Sequence, residues 1–362
     1  MDDNIGQSCI SIMQECYDAL CDDLSRKLFF ARIETDLSPS LKNIDNLAAL
    51  SGYGKEQLAS KLTWLPELVK AQVPIYLYGC GNFGTKWFEI LASKNVNIKG
   101  FFDMKYKTVT SHMGLPVLAP PVYSTDWQNS IEDNAKILVT VALAEDEIRE
   151  QLCEAGVPQE RILPSITCYA INTEQEYFDF IERLPTGGAF IDGGCYDMWT
   201  SIRFTQLCPN QYSKIFAFEP DPKNYELCKK KVAMHGLESV QLIPAGLWSE
   251  TTTLHFHAEG QATSSFCDEG EICVRVVTLD EIVRDERVSF IKMDIEGSEM
   301  GALQGACKTI QRDKPMCAIC IYHKPGDVLA ISHYLKQLVP EYQFAIRHHT
   351  FENADTILYA FV

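Results

Sequence analysis

The sequence has few basic residues relative to its acidic ones. Lysine and arginine together number 32, aspartate and glutamate number 49, and the formal net charge is −17 over 362 residues. Binding to nucleic acid or to an anionic membrane surface requires clustered positive charge, because phosphate groups supply much of the attraction. We therefore expect no nucleic-acid partner.

The chain also lacks long hydrophobic runs, and we expect no leader sequence. Its longest apolar runs, such as residues 137–144 and 316–322, are as long as a strand and shorter than the about 18 residues that indicate a membrane span. The first residues are acidic and polar, without the basic and then apolar pattern of a secretory signal. The 14 cysteines are scattered and do not form the dense framework of a small secreted domain. These absences predict a cytoplasmic protein with reduced thiols and no membrane span.

The arrangement of apolar segments predicts three parts. A chain of 362 residues accommodates two to three domains of about 150 residues each. Residues 1–72 have helical spacing and no evident chemistry, so we expect a helical N-terminal segment and leave a homo-oligomer open. Residues 73–165 and 166–362 each alternate strands with helices, which predicts mainly parallel sheets. The expected fold class is α/β, with two Rossmann-like doubly wound domains after the helical segment.

Three finer expectations concern the last part. Short alternating segments at 252–257 and 273–278 predict an inserted antiparallel hairpin. Helices are expected around residues 174–183 and at 298–312.

The first glycine turn follows the first strand of the middle part. Gly79, Gly81 and Gly84 match the pattern G-x-G-x-x-G, and Asp103 ends the next predicted strand. This is the context of a dinucleotide-binding fingerprint, in which glycines let the backbone approach a phosphate. A nucleotide or nucleotide-sugar site and a Rossmann turn that only packs the domain are both compatible with the pattern. No downstream residue suggests hydride transfer, which disfavours a dehydrogenase.

A second glycine turn begins the last part. Residues 189–197 read as a strand that runs into an acidic, glycine-containing turn, and the strand at 214–219 ends in Glu219. This pattern suits a cationic nucleoside such as S-adenosylmethionine, which carries no phosphate. Asp192 or the nearby backbone would accept from its ammonium group, and Glu219 would bind the ribose diol.

A third strand ends in several acids. Residues 290–299 read Phe-Ile-Lys-Met-Asp-Ile-Glu-Gly-Ser-Glu and deliver Asp294, Glu296 and Glu299 at the carboxyl end of a strand. Open α/β sheets bind their ligands at this end. The acids also favour a helix N-terminus, which is the plainer explanation for Glu296 and Glu299.

These segments, in this order, resemble the FkbM family of S-adenosylmethionine-dependent methyltransferases. They are Phe-Ile-Asp-Gly-Gly-Cys-Tyr-Asp, Phe-Ala-Phe-Glu-Pro-Asp-Pro, Val-Thr-Leu-Asp and Ile-Lys-Met-Asp-Ile-Glu-Gly-Ser-Glu. The resemblance covers about residues 189–362. It implies a class I methyltransferase fold and an acceptor hydroxyl on a sugar, glycan or natural product.

The resemblance also implies where the cofactor binds. The implied cofactor-binding residues are Asp192, Gly193, Gly194, Cys195, Tyr196, Asp197, Glu219 and Ala245. The sequence departs from many family members at Met198, where they have glycine. The segment around the first glycine turn is similar to Rossmann-like domains that accompany some sugar-modifying enzymes.

The predicted reaction is O-methylation of a small molecule or glycan. A hydroxyl acceptor loses a proton, and the candidate general bases are Asp294, Glu296 and His323. A divalent cation is an alternative activator, because Asp294, Glu296 and Glu299 offer the carboxylate oxygens that Mg²⁺ prefers. The competing interpretation is a non-catalytic nucleotide- or nucleotide-sugar-binding protein with a degenerate methyltransferase domain.

Overall fold

The computed structural model describes residues 2–124, 126–141, 144–166, 175–257, 265–266 and 272–362. Two compact units divide the chain: residues 1–50 with 174–362, and residues 51–173. The strands are β1 (Ile75–Tyr78), β2 (Ile98–Phe102), β3 (Ser111–His112), β4 (Leu115–Leu118), β5 (Lys136–Val139), β6 (Ala189–Gly193), β7 (Ile215–Phe218), β8 (Val240–Ile243), β9 (Gly246–Leu247), β10 (Thr252–His257), β11 (Ser265–Phe266), β12 (Ile272–Val277), β13 (Val288–Met293), β14 (Met316–Cys320), β15 (Gln343–His348) and β16 (Thr356–Phe361).

The α-helices of the described residues follow the same order along the chain. They are α1 (Asp2–Asp18), α2 (Asp23–Leu37), α3 (Leu41–Leu50), α4 (Lys55–Lys61), α5 (Leu65–Lys70), α6 (Asn82–Ser93), α7 (Glu145–Glu154), α8 (Trp199–Leu207), α9 (Pro222–Met234), α10 (Leu279–Val283), α11 (Glu299–Gln304), α12 (Cys307–Asp313) and α13 (Asp327–Leu338). None of these described helices has the length and apolar character needed to cross a membrane.

The discontinuous unit is built on a seven-stranded sheet. Its strand order is β15-β16-β14-β13-β6-β7-β8, and the five strands from β14 to β8 are parallel. Strands covered on both faces are buried along their whole length, as β13 and β14 are here. The chain order of the parallel strands reverses at β6, between β7 and β13. Ligands of open α/β sheets bind at the carboxyl ends of strands beside such a reversal.

Helices α1 to α3 belong to this same unit. Leu28 and Phe29 are buried in one apolar cluster with Phe344 and Ile346 of β15. The hydroxyl oxygen of Ser25 accepts a hydrogen bond from the Ile346 backbone nitrogen at 2.9 Å. The residues expected to form one helical segment, 1–72, therefore fall into both units, because α4 and α5 lie in the other one.

The unit of residues 51–173 has a five-stranded sheet of order β3-β4-β2-β1-β5. Strands β4, β2, β1 and β5 are parallel, and β3 is antiparallel to β4. Its apolar cluster includes Tyr76, Phe102, Ile137 and Leu152.

The α/β class with parallel sheets is confirmed, and so is the hairpin, in which β10 pairs with β12 in antiparallel fashion. Two helix predictions were wrong. Residues 175–183 form turns and a short 3-10 helix at Ile181–Arg183. The helix expected at 298–312 breaks into α11 and α12 at Gly305, where a Cβ atom would lie 2.0 Å from the Trp248 carbonyl oxygen.

Candidate functional site

The turn after β6 lies directly against the end of β13. Gly194 has a φ of +75°, and a Cβ atom there would lie 2.0 Å from the carbonyl oxygen of Asp294. Glycine is therefore required both by the backbone conformation and by the close approach. The glycine turn and the acidic strand end, which lie about one hundred residues apart in sequence, meet at one point of the sheet.

Asp192 and Lys292 form a buried ion pair beneath this turn. The side chains are 0% and 3% exposed, and Lys292 Nζ lies 3.3 Å from Asp192 Oδ1. Asp192 Oδ2 accepts a hydrogen bond from the Ser201 hydroxyl at 2.7 Å. Lys292 also donates to the carbonyl oxygens of Gly193 at 3.1 Å and Gly194 at 2.7 Å. Burial disfavours the lysine charge, but the nearby negative charges, chiefly those of Asp192 and Asp294, together outweigh burial and hold the pKa of Lys292 above its usual value.

The remaining turn residues are fixed by contacts with neighbouring helices. Cys195 is buried with its sulfur 3.8 Å from that of Cys228, and burial raises the pKa of the Cys195 thiol. The Cys228 thiol donates to the Tyr196 carbonyl oxygen at 3.0 Å. Asp197 accepts from the Trp199 backbone nitrogen at 3.0 Å. These contacts determine the shape of the turn before any ligand binds.

Met198 has the conformation that glycine adopts most easily. Its φ is +66°, and its side chain is fully buried. A non-glycine residue with positive φ is uncommon. The departure from the family pattern at this position thus preserves a left-handed backbone in the cofactor turn and adds a buried side chain.

Glu219 joins the end of β7 to the same turn. Its Oε2 accepts from the Tyr196 backbone nitrogen at 3.0 Å, and its Oε1 accepts from the Asp221 backbone nitrogen at 2.8 Å. Burial raises the pKa of Glu219 to about 7, although both hydrogen bonds oppose this shift. Ala245, which is buried, follows the end of the neighbouring strand β8. All the predicted cofactor residues thus lie near the carboxyl ends of β6, β7 and β8.

The three candidate bases also lie together. His323 Nε2 is 3.4 Å from Asp294 Oδ1 and 3.5 Å from Glu296 Oε2. Asp294 further accepts hydrogen bonds from the hydroxyls of Tyr177 at 2.7 Å and Tyr322 at 3.3 Å. Burial would raise the pKa of Asp294, but the charges of nearby Lys292 and His323 lower it. Burial raises the pKa of Glu296 to about 7.

Glu299 completes this group from the first turn of α11. Its side chain is 1% exposed, its Oε1 accepts from the Ile295 backbone nitrogen at 3.0 Å, and the same atom lies 2.9 Å from His323 Nδ1. Burial alone would lower the pKa of His323, but Glu299 and Asp294 raise it to about 9. The His323 imidazole is therefore surrounded by three carboxylates.

Sequence reasoning missed two side chains of this site. Tyr177 precedes β6 in a segment that carried no motif, so no local signal pointed to it. Lys292 was visible as a charged residue within an apolar strand, and a buried lysine of this kind requires a partner. That signal could have predicted its pairing with Asp192.

The predicted nucleotide-binding residues lie at the ends of β1 and β2. Gly79 has a φ of +112°, Gly81 precedes α6, and a Cβ atom on Gly84 would lie 2.0 Å from the Gly79 carbonyl oxygen. Asp103 accepts from the backbone nitrogens of Cys80 at 2.9 Å and Lys105 at 2.8 Å. These contacts give each residue a role in shaping the turn, and a nucleotide or nucleotide-sugar ligand stays a prediction.

Comparisons with known proteins give a family match within the discontinuous unit and similar solved structures. Residues 193–347 match the model of the methyltransferase FkbM domain. A comparison with curated proteins gives no match. Among solved structures, a methyltransferase FkbM from Methylobacillus flagellatus KT has 18% identity and a TM-score of 0.50, and the alignment covers 85% of this chain and 98% of that one.

Two further structures align with about half of the chain. An rRNA methylase from Streptococcus thermophilus has 16% identity, a TM-score of 0.35, and coverage of 52% of this chain and 92% of that one. Fibrillarin from Aeropyrum pernix, with S-adenosyl-L-methionine bound, has 12% identity, a TM-score of 0.33, and coverage of 52% and 76%.

The family match falls on the unit that contains the second glycine turn, the buried ion pair and the acidic strand end. It includes all the predicted catalytic residues and every predicted cofactor residue except Asp192, which immediately precedes it. The resemblance seen in the sequence motifs is confirmed, because residues 193–347 match the model of the methyltransferase FkbM domain.

Proposed function

We propose that this protein is an S-adenosylmethionine-dependent methyltransferase that methylates a hydroxyl group of a sugar, glycan or natural product. The family match supports methyl transfer. The observation that carries the cofactor assignment is the position of Glu219, a buried carboxylate at the end of β7 that bonds to the glycine turn. A carboxylate has about four acceptor sites, and two backbone amides leave acceptor capacity for a ribose diol.

The donor set fits a cationic nucleoside. Glu219 follows β7, and Asp294 and Glu296 follow β13, so these carboxylates lie at the ends of the two strands that flank β6. A ligand without phosphate needs no cluster of basic residues there. When bound, S-adenosylmethionine supplies an activated methyl group. Lys292 fixes the carbonyl groups of Gly193 and Gly194, so the turn keeps its shape without rearranging on binding.

Asp192 has a supporting role in this proposal. Its carboxylate is fully buried and bonds to Ser201 and Lys292. We therefore assign Asp192 as a positioning residue that holds Lys292, and through it the turn.

Glu296 is the proposed general base. Its side chain is 27% exposed, more than that of Asp294 at 23% or of Glu299 at 1%, so its carboxylate is the one that an acceptor reaches most easily. It would take the hydroxyl proton at a carboxylate oxygen as the acceptor oxygen approaches the methyl carbon. General-base catalysis typically contributes about 10²–10⁴-fold to the rate. Asp294, held by the Tyr177 hydroxyl, would orient the acceptor.

Calorimetry with the full chain tests the cofactor assignment. The wild-type protein should bind S-adenosylmethionine and S-adenosylhomocysteine, and Glu219→Ala should raise both dissociation constants by about 10–100-fold. That range corresponds to the loss of a charge-assisted hydrogen bond of about 1.5–3 kcal/mol. The matched control is Glu226→Ala, because Glu226 is an exposed carboxylate that pairs with Lys229.

Two results would count against the proposal. The first is wild-type protein that binds neither compound. The second is binding of only a dinucleotide or nucleotide-sugar, which would favour the non-catalytic interpretation.

A further inference from the structure

Three potential metal ligands converge where β13 and β14 end. Asp294, Glu299 and His323 each offer one ligand atom, and these atoms all lie within 4.8 Å of one another. Ligands bound at about 2.0–2.2 Å on opposite sides of an ion are at most about 4.4 Å apart. The three groups therefore need only small movements to bind one ion.

Buried polar atoms without partners point into this cluster. Glu299 Oε2 forms no hydrogen bond with any residue in the described part of the chain. The two ring nitrogens of His323 lie 2.9–3.5 Å from carboxylate oxygens, but neither makes a hydrogen bond of good geometry. The two side chains are only 1% and 8% exposed, so bulk water cannot satisfy these atoms. An unsatisfied buried polar group costs about 1–3 kcal/mol, more when it is charged. A bound ion would remove this cost for both side chains at once.

The charge balance of the cluster also favours a cation. The carboxylates of Asp294, Glu296 and Glu299 lie within 2.9–3.5 Å of one imidazole. The nearby ammonium group of Lys292 pairs with Asp192 and donates hydrogen bonds to the carbonyl groups of the glycine turn. Negative charge at this strand end therefore exceeds the positive charge that the adjacent side chains supply.

We propose that Asp294, Glu299 and His323 bind a divalent transition-metal cation. Carboxylate oxygens suit Mg²⁺ and Mn²⁺, whereas imidazole suits Zn²⁺, Fe²⁺ and related ions, so this mixed set favours Mn²⁺ or Zn²⁺ over Mg²⁺. The donor set thus differs from the all-carboxylate magnesium cluster of the sequence-based alternative, because His323 replaces Glu296 as a ligand. Glu296 remains available as a base.

The ion would bind and polarise the acceptor hydroxyl, which deepens the proposed function and rests on it. Metal ions at such positions lower the pKa of a bound hydroxyl or water. The existence of the site, by contrast, does not depend on methyl transfer.

The experiment is a titration of the full chain with Mn²⁺, free of other metals, monitored by electron paramagnetic resonance. The wild-type protein should have one saturable Mn²⁺ site per chain, and Zn²⁺ should displace the ion at lower concentration than Mg²⁺ does. Glu299→Gln and His323→Ala should each weaken Mn²⁺ binding by at least about 10–100-fold, the loss typical of altering even an outer partner of a metal ligand.

A histidine–carboxylate pair elsewhere in the same unit provides the control. His333 Nδ1 lies 2.7 Å from Glu15 Oε2, and the two side chains are 27% and 43% exposed. His333→Ala should leave Mn²⁺ binding unchanged, because this exposed pair belongs to no cluster of potential ligands among the described residues. Circular dichroism verifies that each variant is folded.

The outcomes separate this inference from the proposed function. Wild-type protein that binds S-adenosylmethionine without a saturable Mn²⁺ site overturns the inference and leaves the proposed function intact. Mn²⁺ binding that is unchanged in Glu299→Gln, or displacement by Mg²⁺ as readily as by Zn²⁺, also overturns it. Mn²⁺ binding that requires Glu299 and His323 supports the site even if S-adenosylmethionine does not bind.

Discussion

Replacing Lys292 by methionine tests the buried ion pair beneath the glycine turn. Methionine retains an unbranched side chain of similar length and removes the ammonium group. The variant leaves Asp192 fully buried with the Ser201 hydroxyl as its remaining hydrogen-bond donor. It also removes the side-chain donor that the carbonyl groups of Gly193 and Gly194 share. We therefore expect lower stability and a less ordered cofactor turn.

The size of the expected loss in free energy of unfolding follows from the burial of the ion pair. Removing one partner of a buried ion pair costs about 3–5 kcal/mol, because the other charge remains in a medium of low dielectric constant. Whole-protein stabilities are about 5–15 kcal/mol, so the variant should lose a large part of its free energy of unfolding. Asp192→Asn combined with Lys292→Met removes both charges and keeps an acceptor for Ser201, so the double variant should recover at least about 2 kcal/mol.

Urea unfolding of the four proteins, monitored by circular dichroism at 25 °C, measures this coupling. The wild type, the two single variants and the double variant form a complete double-mutant cycle. A free energy of unfolding within about 1 kcal/mol of wild type for Lys292→Met would refute the reasoning. So would losses that simply add in the double variant, because the two charges would then be independent.

Two further predictions concern stability. Gly194→Ala should lower the free energy of unfolding by about 2–5 kcal/mol. The left-handed backbone contributes about 1–2 kcal/mol of this loss, and the clash with the Asp294 carbonyl oxygen contributes about 1–3 kcal/mol. Gly187→Ala is the control, because Gly187 also has a positive φ but has open space around it, and equal losses in thermal melting would contradict the clash. Burial, helped by the nearby Arg32 charge, lowers the pKa of His348 to about 3, so its imidazole stays neutral in the folded protein. The unfolded chain binds one more proton below about pH 6.5, so this contribution to stability is lost as pH falls towards 3. Between pH 6.5 and 5, the free energy of unfolding of His348→Gln, measured in urea, should therefore fall by about 1–2 kcal/mol less than that of the wild type. Parallel pH profiles of the two proteins would contradict the assignment.

The sequence predicted where the site lies but not how its side chains pair. The acids at Glu219 and Asp294 follow strands, and parallel strands end at a common edge, so their proximity followed from the alternation of strands and helices. Whether a strand-end acid faces a ligand or a protein partner depends on the neighbouring strand. The pairing of Asp192 with Lys292 arises from the register between β6 and β13, which composition and periodicity do not encode.

Long-range contacts also explain the features of the structure that the sequence did not predict. In the sequence, Glu299 is indistinguishable from an ordinary acid at a helix N-terminus. Its contact with His323, which follows the next strand and lies 2.9 Å away, is visible only in the structure. At the break between α11 and α12, the carbonyl group of Trp248 lies so close to Gly305 that a Cβ atom has no room there, although Trp248 is more than fifty residues earlier in the chain. Local patterns predict elements well, but contacts of this kind become visible only after the sheet is assembled.

The discontinuous unit has a consequence for synthesis on the ribosome. Helix α2 packs against β15, and Asp22 pairs with Arg347 at 2.8 Å, although the two segments lie at opposite ends of the sequence. At about 5–20 residues per second, the N-terminal helices emerge tens of seconds before the strand that covers them. During that interval the apolar side chains of Leu28 and Phe29 lack their final partners. The N-terminal helices can therefore complete their packing only after translation reaches the last strands.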